Sequence, residues 1–256
     1  MINEDLNSRQ YSIVRWVEAE GSVKVEDMVA RYGVTVQTIR RDLTLLDKLQ
    51  KLRRLHGAAK TINSTENVAY GDRKIMNHSA KLAIATTIAR HIPDNASVFI
   101  NIGTTTETIA QALMQHKGLQ IITNSLHVAS IMSQKQDFRV IVTSGEVRAT
   151  DGGIVGEATL DFIEQFKLDY GIIGISSIDE DGTLLDFDYR EVRVAKSIIE
   201  HSRKVFLAAD HSKFDRKAMV RLGNLADADM LFTDLVPSDN IVSVLNEHDV
   251  VLQVCR

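Results

Sequence analysis

"VTVQTIRRDL", residues 34–43, decides how the first part of the chain reads. Ile39 and Leu43 are one helical turn apart, and Leu46 and Leu49 continue the step, so a helix from about Val36 to Leu49 carries one apolar side. Thr35, just before it, offers a hydroxyl to an orphan amide of the first turn. With the apolar side turned inward, Gln37, Thr38, Arg40, Arg41 and Thr44 are left on or near the opposite surface.

Upstream, Leu6, Ile13, Trp16 and Val17 mark an earlier helix that Gly21 ends. A second helix, opened by Ser22 or Lys24, buries Val25, Met28 and Val29, and Gly33 stops it. Downstream, "KLRRLHGAAK" (51–60) is too basic and glycine-marked for more helix and predicts a two-stranded wing with its turn near Gly57. Two helices across a glycine turn, the second capped and followed by a basic hairpin, make a winged helix-turn-helix. In that layout the early part of the second helix reaches base edges. Gln37 suits adenine, Arg40 or Arg41 suits guanine, and Thr38 suits a thymine methyl or a phosphate. Arg53 and Arg54 on the wing suit phosphates or the minor groove, while Lys48 and Lys51 add less specific charge. Asp42, acidic on such a helix, is expected to orient an arginine or cap the wing.

Charge is distributed accordingly. The chain has 256 residues and a net charge of -4, but residues 1–60 hold 11 basic and 8 acidic residues, leaving 19 basic and 26 acidic in the remainder. Such polarity suits a basic module for a polyanion joined to a larger acidic one. A single cysteine, Cys255, excludes an internal disulfide framework. "MINEDLNSRQ" lacks an apolar signal-peptide core, and no run of 18 apolar residues occurs, so a cytoplasmic protein without membrane association is expected.

Residues 61–75 read as a polar linker between domain 1–60 and domain 76–256. In the second domain "SVFINI", "LQIIT", "FRVIV", "YGIIGI", "KVFLAAD", "DMLFTD" and "VVLQV" are strand candidates. Helical stretches intervene at Thr106 to Gln115, Leu126 to Gln134, Leu160 to Phe166, Arg190 to Glu200 and Asp239 to Glu247. The fold class is therefore α/β, with an open, mostly parallel sheet after the winged module.

"SVFINIGTTTETIAQAL" (97–113) places Gly103-Thr104-Thr105-Thr106 after a strand and at the start of a helix, an arrangement that favours an anion. It is neither a P-loop nor a dinucleotide fingerprint, and no cofactor is expected. Other polar residues collect at strand ends, where open parallel sheets bind ligands. Lys213 offers an ammonium to a phosphate, Asn124 a donor or acceptor, and Asp179 an acceptor for a hydroxyl. Together they suit a small phosphorylated polyol. "DEDG" (179–182) reads as a turn, because Arg190 stands where a calcium loop needs its last glutamate. Asp210-His211 is the one acid–base pair catalysis would use, and no nucleophile completes it.

Arg9, Ile13 and Val17, followed by Thr35 and by Thr38 through Leu43, resemble the DNA-binding signature of the DeoR family of bacterial sugar-metabolism regulators. "RRLHGAA" (53–59) looks like that family's wing, with Ala58 where a second glycine is usual, so a shifted turn is expected. The resemblance continues through "FINIGTTT" (99–106), "TNSLHVA" (123–129), "DGGIVGEATLDFIEQFKLDYGIIGIS" (151–176), "LLDFDYREVRVAKSIIE" (184–200) and "AADHSKF" (208–214). It departs at Ser144, Ser177 and Asp215, where glycine is common. The resemblance implies a ribose-5-phosphate isomerase-like fold kept as a sensor without catalysis. It also implies a pocket of Gly103, Thr104, Thr105, Asn124, Gly156, Asp179 and Lys213. Its longest motifs are similar to those of repressors of glycerol metabolism that glycerol 3-phosphate releases from double-stranded operator DNA. A homo-oligomer, dimer or tetramer, is expected. Side-chain chemistry by itself leaves dihydroxyacetone phosphate, a pentose phosphate or a ketose bisphosphate open as effectors. It also leaves an active sugar-phosphate isomerase as the rival function.

Overall fold

The computed structural model describes residues 6–20, 22–49, 51–60, 70–214 and 216–256. The chain divides into two units, Met1–Asn67 and Val68–Arg256. Gly21, residues 61–69 of the expected linker, and Asp215 lie outside the described residues.

The first unit runs α1 (Ser8–Glu20), β1 (Ser22–Lys24), α2 (Val25–Tyr32), α3 (Val36–Lys48), β2 (Arg53–Leu55) and β3 (Ala58–Lys60). Gly33 ends α2 in the left-handed region (φ 61°), its N–H donating to Val29 O at 3.0 Å. That backbone conformation disfavours any residue with a Cβ. Thr35 then opens α3, its Oγ1 accepting from Thr38 N at 3.2 Å. Ile39, Leu43 and Leu46 pack with Ile13, Val17 and Met28 into one buried cluster. The wing differs from expectation. Ser22–Lys24 forms a third strand, in the order β1–β3–β2, with Ala59 opposite both Val23 and Arg54. Neither Ser22 nor Lys24 caps α2 with its side chain, and a three-residue strand abutting a helix is too short to show its own period. Only Gly57 needs the left-handed region (φ 80°); Ala58 already lies in β3, so its missing glycine costs the turn nothing.

The second unit begins with α4 (Tyr70–Ile75), so the last part of the expected linker is helical. It continues through α5 (His78–His91), β4 (Ser97–Ile100), α6 (Thr104–Leu113), β5 (Gln120–Thr123), α7 (Leu126–Met132), β6 (Arg139–Val142), β7 (Glu146–Val147) and β8 (Ile154–Val155). Next come α8 (Glu157–Ile163), β9 (Leu168–Gly174), β10 (Ser177–Ile178), β11 (Thr183–Asp186), α9 (Tyr189–Glu200) and β12 (Ser202–Ala208). The chain closes with β13 (Val220–Asn224), β14 (Met230–Thr233), α10 (Asp239–Glu247) and β15 (Val251–Val254).

All seven apolar runs become one wholly parallel sheet, β15–β14–β12–β9–β4–β5–β6. Among the described residues of this unit, antiparallel pairing occurs in a β10–β11–β13 sheet, a β7–β8 ribbon and an isolated Ser125–Gly153 bridge. Alternation along the strands fills both faces. Val98, Ile100, Ile121, Ile172, Phe206 and Phe232 pack with α5, α6 and α7. Phe99, Ile122, Ile173, Val205, Leu207 and Leu231 pack with α8, α9 and α10. From β4 the chain winds outward through β5 and β6; from β9 it winds the other way through β12, β14 and β15. The reversal lies between β4 and β9, and a crevice at their carboxyl ends follows from it.

Asp42 orients an arginine, as one of its two expected roles required, but it does so from inside the unit and not from the outward face of α3. It is buried, and its carboxylate accepts from Arg9 Nε at 2.6 Å and Gln10 Nε2 at 2.9 Å, tying α1 to α3. Asp47 takes the wing-capping role instead, accepting the Arg54 N–H at 3.0 Å. Replacing Asp42 with alanine strands two donors at a buried junction and is expected to cost about 1–3 kcal/mol of stability. Urea unfolding of the variant measures this, and a loss below about 0.5 kcal/mol, the level of an ordinary surface change, would contradict it.

Candidate functional site

Two surfaces carry chemistry, one in each unit. On α3, Gln37, Arg41, Thr44 and Lys48 follow one another at helical spacing, and with Arg40 and Leu45 they line a shallow exposed groove. The buried stripe of Ile39, Asp42, Leu43 and Leu46 fixes this outward presentation. Gln37, Arg40 and Arg41 are exposed as expected. Thr38 is half-buried and its hydroxyl lies 3.0 Å from that of Thr35, so it serves the cap. The Thr44 hydroxyl donates to Arg40 O at 2.7 Å and accepts from an Arg54 guanidinium N–H. Thr44 therefore positions Arg54 beside α3. Arg53, on the same strand, is half-buried. This face presents exposed guanidinium and amide groups on a helix fixed by its buried side, which is what base-edge and phosphate contacts require.

In the second unit the crevice at the reversal is lined from several elements. Ile102 and Gly103 follow β4, Thr104, Thr105 and Thr106 open α6, and Gly174, Ile175 and Ser176 follow β9. Arg73 comes from α4, Asp186 from the end of β11, Glu191 from α9, and Lys213 from the short turn of helix at His211–Lys213. Gly103 takes φ 138°, a region L side chains rarely enter, and so lets the chain turn directly into α6. The first amides of α6 have no intrahelical acceptor, and the helix dipole favours negative charge there. Thr106 Oγ1 donates back to Gly103 O at 2.8 Å, and Thr104 Oγ1 donates to Arg73 O at 3.3 Å while accepting from Lys81 Nζ at 3.0 Å. The Thr105 hydroxyl has no such bond among the described residues.

Opposed charges share this cleft. Burial pulls the Lys213 ammonium down to about 8; Asp210 opposes the shift, while Arg216, Arg73 and Lys81 add to it. Burial also lowers the Lys81 ammonium. Across from them, burial and then Asp186 push Glu191 up to about 8, although Arg148 bonds it at 2.7 Å. Asp186 is raised by burial too, despite accepting from Phe187 N at 2.6 Å and Ser176 Oγ at 3.0 Å. Cations and free amides on one side and hydroxyl-accepting carboxyls on the other can hold a phosphate ester bearing hydroxyls.

Of the seven residues expected at this pocket, Gly103, Thr104, Thr105 and Lys213 come together here. The other three do not line this cleft. Asn124 is buried after β5, where its Nδ2 donates to Ile154 O at 3.3 Å and its main chain bonds Ile154 N at 2.7 Å; Oδ1 has no partner among the described residues. Gly156 caps α8 at φ 115°. Asp179 sits in the turn between β10 and β11, its N–H donating to Thr183 O at 3.0 Å, because the chain leaves β9 into a hairpin. Asp186, at the far end of that hairpin, occupies the acidic place instead. Arg73 escaped notice because its segment reads as polar linker, and Asp186 because "LLDFDYREVR" reads only as a family motif and as the run into the helix expected from Arg190. Asp210 and His211 do not pair with each other. His211 Nδ1 lies 2.6 Å from Asp234 Oδ2, and Asp210 accepts from Asn77 Nδ2 at 2.9 Å and Ser212 N at 3.0 Å.

Among the described residues no helix is long and apolar enough to cross a membrane. Residues 9–65 match the DeoR-like helix-turn-helix domain, and residues 76–235 match the DeoR C terminal sensor domain. The chain is 47% identical to the glycerol-3-phosphate regulon repressor of Escherichia coli, over 96% of its own length and 98% of the relative's. It is 49% identical to the protein of that name in Haemophilus influenzae, over 97% and 96%. With the transcriptional repressor CsqR of Escherichia coli it shares 36%, over 95% and 94%. Ribose 5-phosphate isomerase A of Neisseria gonorrhoeae superposes with a TM-score of 0.40 at 17% identity over 54% of this chain and 53% of that one, too distant to bear on activity. Both units and nearly the whole length match one group: the chain belongs to the DeoR family of helix-turn-helix regulators.

Proposed function

We propose that this chain represses genes of glycerol 3-phosphate metabolism and leaves its operator when the cleft between the β4 and β9 ends takes a small phosphorylated polyol, glycerol 3-phosphate foremost. The observation that carries the reading is the pairing of Arg73 and Lys213 with the start of α6, opposite Asp186 and Glu191. A phosphate meets the cations and amides, and the polyol hydroxyls meet the carboxyls, a role first expected of Asp179. Relatives named as glycerol-3-phosphate regulon repressors at 47% and 49% identity support this choice over pentose phosphates. The protein works in the cytoplasm as a homo-oligomer, dimer or tetramer, because one helix-turn-helix has a small footprint and two half-sites are the usual solution. It binds its effector without turning it over.

The test is a gel shift on promoter DNA titrated with a panel of phosphorylated polyols and sugars. Glycerol 3-phosphate is expected to weaken operator binding by roughly 5–150-fold, the usual range of coupling between two sites. Release by another member of the panel alone would replace the effector, and release by none would overturn the sensor reading.

Replacing Arg41 with alanine is expected to cost about 1–3 kcal/mol of discrimination between operator and random duplex. Equal losses on both DNAs, measured by competition anisotropy, would make it a phosphate contact.

Effector binding is also expected to depend on pH. A phosphate monoester gains its second charge near pH 6, at roughly the pKa of a phosphorylated side chain. Lys213 loses its charge near the value of about 8 to which burial pulls it, and Glu191 gains one in the same range. Both changes disfavour a dianion, so affinity falls as pH rises through that value. Lys213→Arg, cationic throughout, should make the alkaline fall shallower in calorimetric titrations; an unchanged fall would remove Lys213 from the phosphate.

A further inference from the structure

Arg73 is held in an unfinished way. Its Nε is buried without a hydrogen-bond partner among the described residues, and its Nη2 reaches Asp151 only at 3.4 Å. Asp151 is already well served, since Arg148 donates to both its oxygens at 2.9 and 2.8 Å. A guanidinium with 18% of its side chain exposed and one weak ion pair is poorly compensated for burial. Its main chain, by contrast, is clipped to the anion loop, because Arg73 O accepts from both Thr104 Oγ1 and Lys81 Nζ. The same short helix is pinned at its other end. Tyr70 donates to Glu107 of α6 at 2.8 Å and stacks on His127 of α7 at 5.1 Å. The cleft that Arg73 lines is narrow, with about 30 Å³ free, so a phosphate entering it comes directly against the side chains that line it.

We propose that Arg73 is the effector's phosphate clamp and that α4 is the element that registers occupancy: the guanidinium leaves Asp151 for the ligand, and α4 shifts with it. This deepens, and rests on, the sensor reading of the same cleft. The geometry suits it because α4 opens the second unit directly after residues 61–69, which join it in sequence to the wing. A bidentate guanidinium–phosphate pair gives both strength and direction, which a lysine at this position would not. A small change at Arg73 is therefore delivered at the start of the chain segment leading to the DNA-binding unit, and coupling needs no longer route through the sheet.

The experiment uses the full chain, with glycerol 3-phosphate and inorganic phosphate as probes, and compares the unsubstituted protein with Arg73→Gln and Arg73→Lys. Calorimetry gives affinity, and hydrogen exchange of the 70–75 amides reports α4. The unsubstituted protein is expected to bind glycerol 3-phosphate and change α4 exchange. Arg73→Gln should bind at least about tenfold more weakly and lose the α4 response while still binding duplex DNA. Arg73→Lys keeps the charge and the apolar stem; it should bind with intermediate affinity, and it carries the comparison if the glutamine variant melts early. Binding by both variants within twofold of the unsubstituted protein, or an α4 whose exchange ignores saturating ligand, overturns the proposal alone. No binding of either probe by the unsubstituted protein overturns the sensor reading together with it.

Discussion

A parallel sheet covered on both faces by helices leaves little room for charge except at its strand ends, and its one reversal, between β4 and β9, opens the place where charge can gather. In the large sheet, strands β14, β12, β9, β4, β5 and β6 each alternate apolar residues between two clusters, so their polar residues are driven to the termini. Connections from β4 and β9 depart in opposite directions, and no crossover fills the gap between their carboxyl ends. Gly103 turns the chain sharply enough to aim the start of α6 into that gap. The cleft proposed for the effector is thus a consequence of topology before it is a matter of side-chain choice.

The groups collected there are costly to bury unless they are paired. Arg148 meets Asp151, Asp188 and Glu191 within 2.9 Å, and Asp188 in turn caps α9. Arg73 and Lys213 are the less well compensated members, one weakly paired and the other pulled toward neutrality. An arriving dianion would complete what the protein leaves incomplete, so ligand binding can be favourable and yet redistribute the contacts of the cleft. Among the described residues, the first unit has no comparable tension. Asp42 is satisfied by Arg9 and Gln10, and the exposed arginines of α3 stand on a helix locked by that junction and by the Thr35 cap.

The helix-turn-helix was legible because each of its signals is local: Gly33, Thr35 and the Ile39–Leu43–Leu46 step lie within one turn or two of what they control. The seven sheet strands were legible for the same reason, as short apolar runs between helices. Strands that depend on partners far away in sequence were not. β1 exists by pairing with β3, and β10, β11 and β13 by pairing with one another, on patterns only two to five residues long. The cleft was half legible. Gly103, Thr104 and Thr105 announce an anion loop, and Lys213 stands out as an ammonium just past the end of a sheet strand. Arg73 and Asp186 enter it through tertiary packing, one from a segment that looks like linker and the other from a stretch with no local binding signal. Asp179, the acid nearest to β9 in sequence, is carried off by a hairpin.

In the proposed function, one phosphate-bearing ligand and one operator compete energetically through the same chain. Linkage makes this reciprocal: whatever factor the ligand takes from DNA affinity, DNA must take from ligand affinity. The direct measurement is the affinity of the full chain for glycerol 3-phosphate, with and without a saturating promoter duplex. A loss matching the ligand's effect on DNA binding is predicted. Equal ligand affinity in the presence and absence of DNA would contradict this competition.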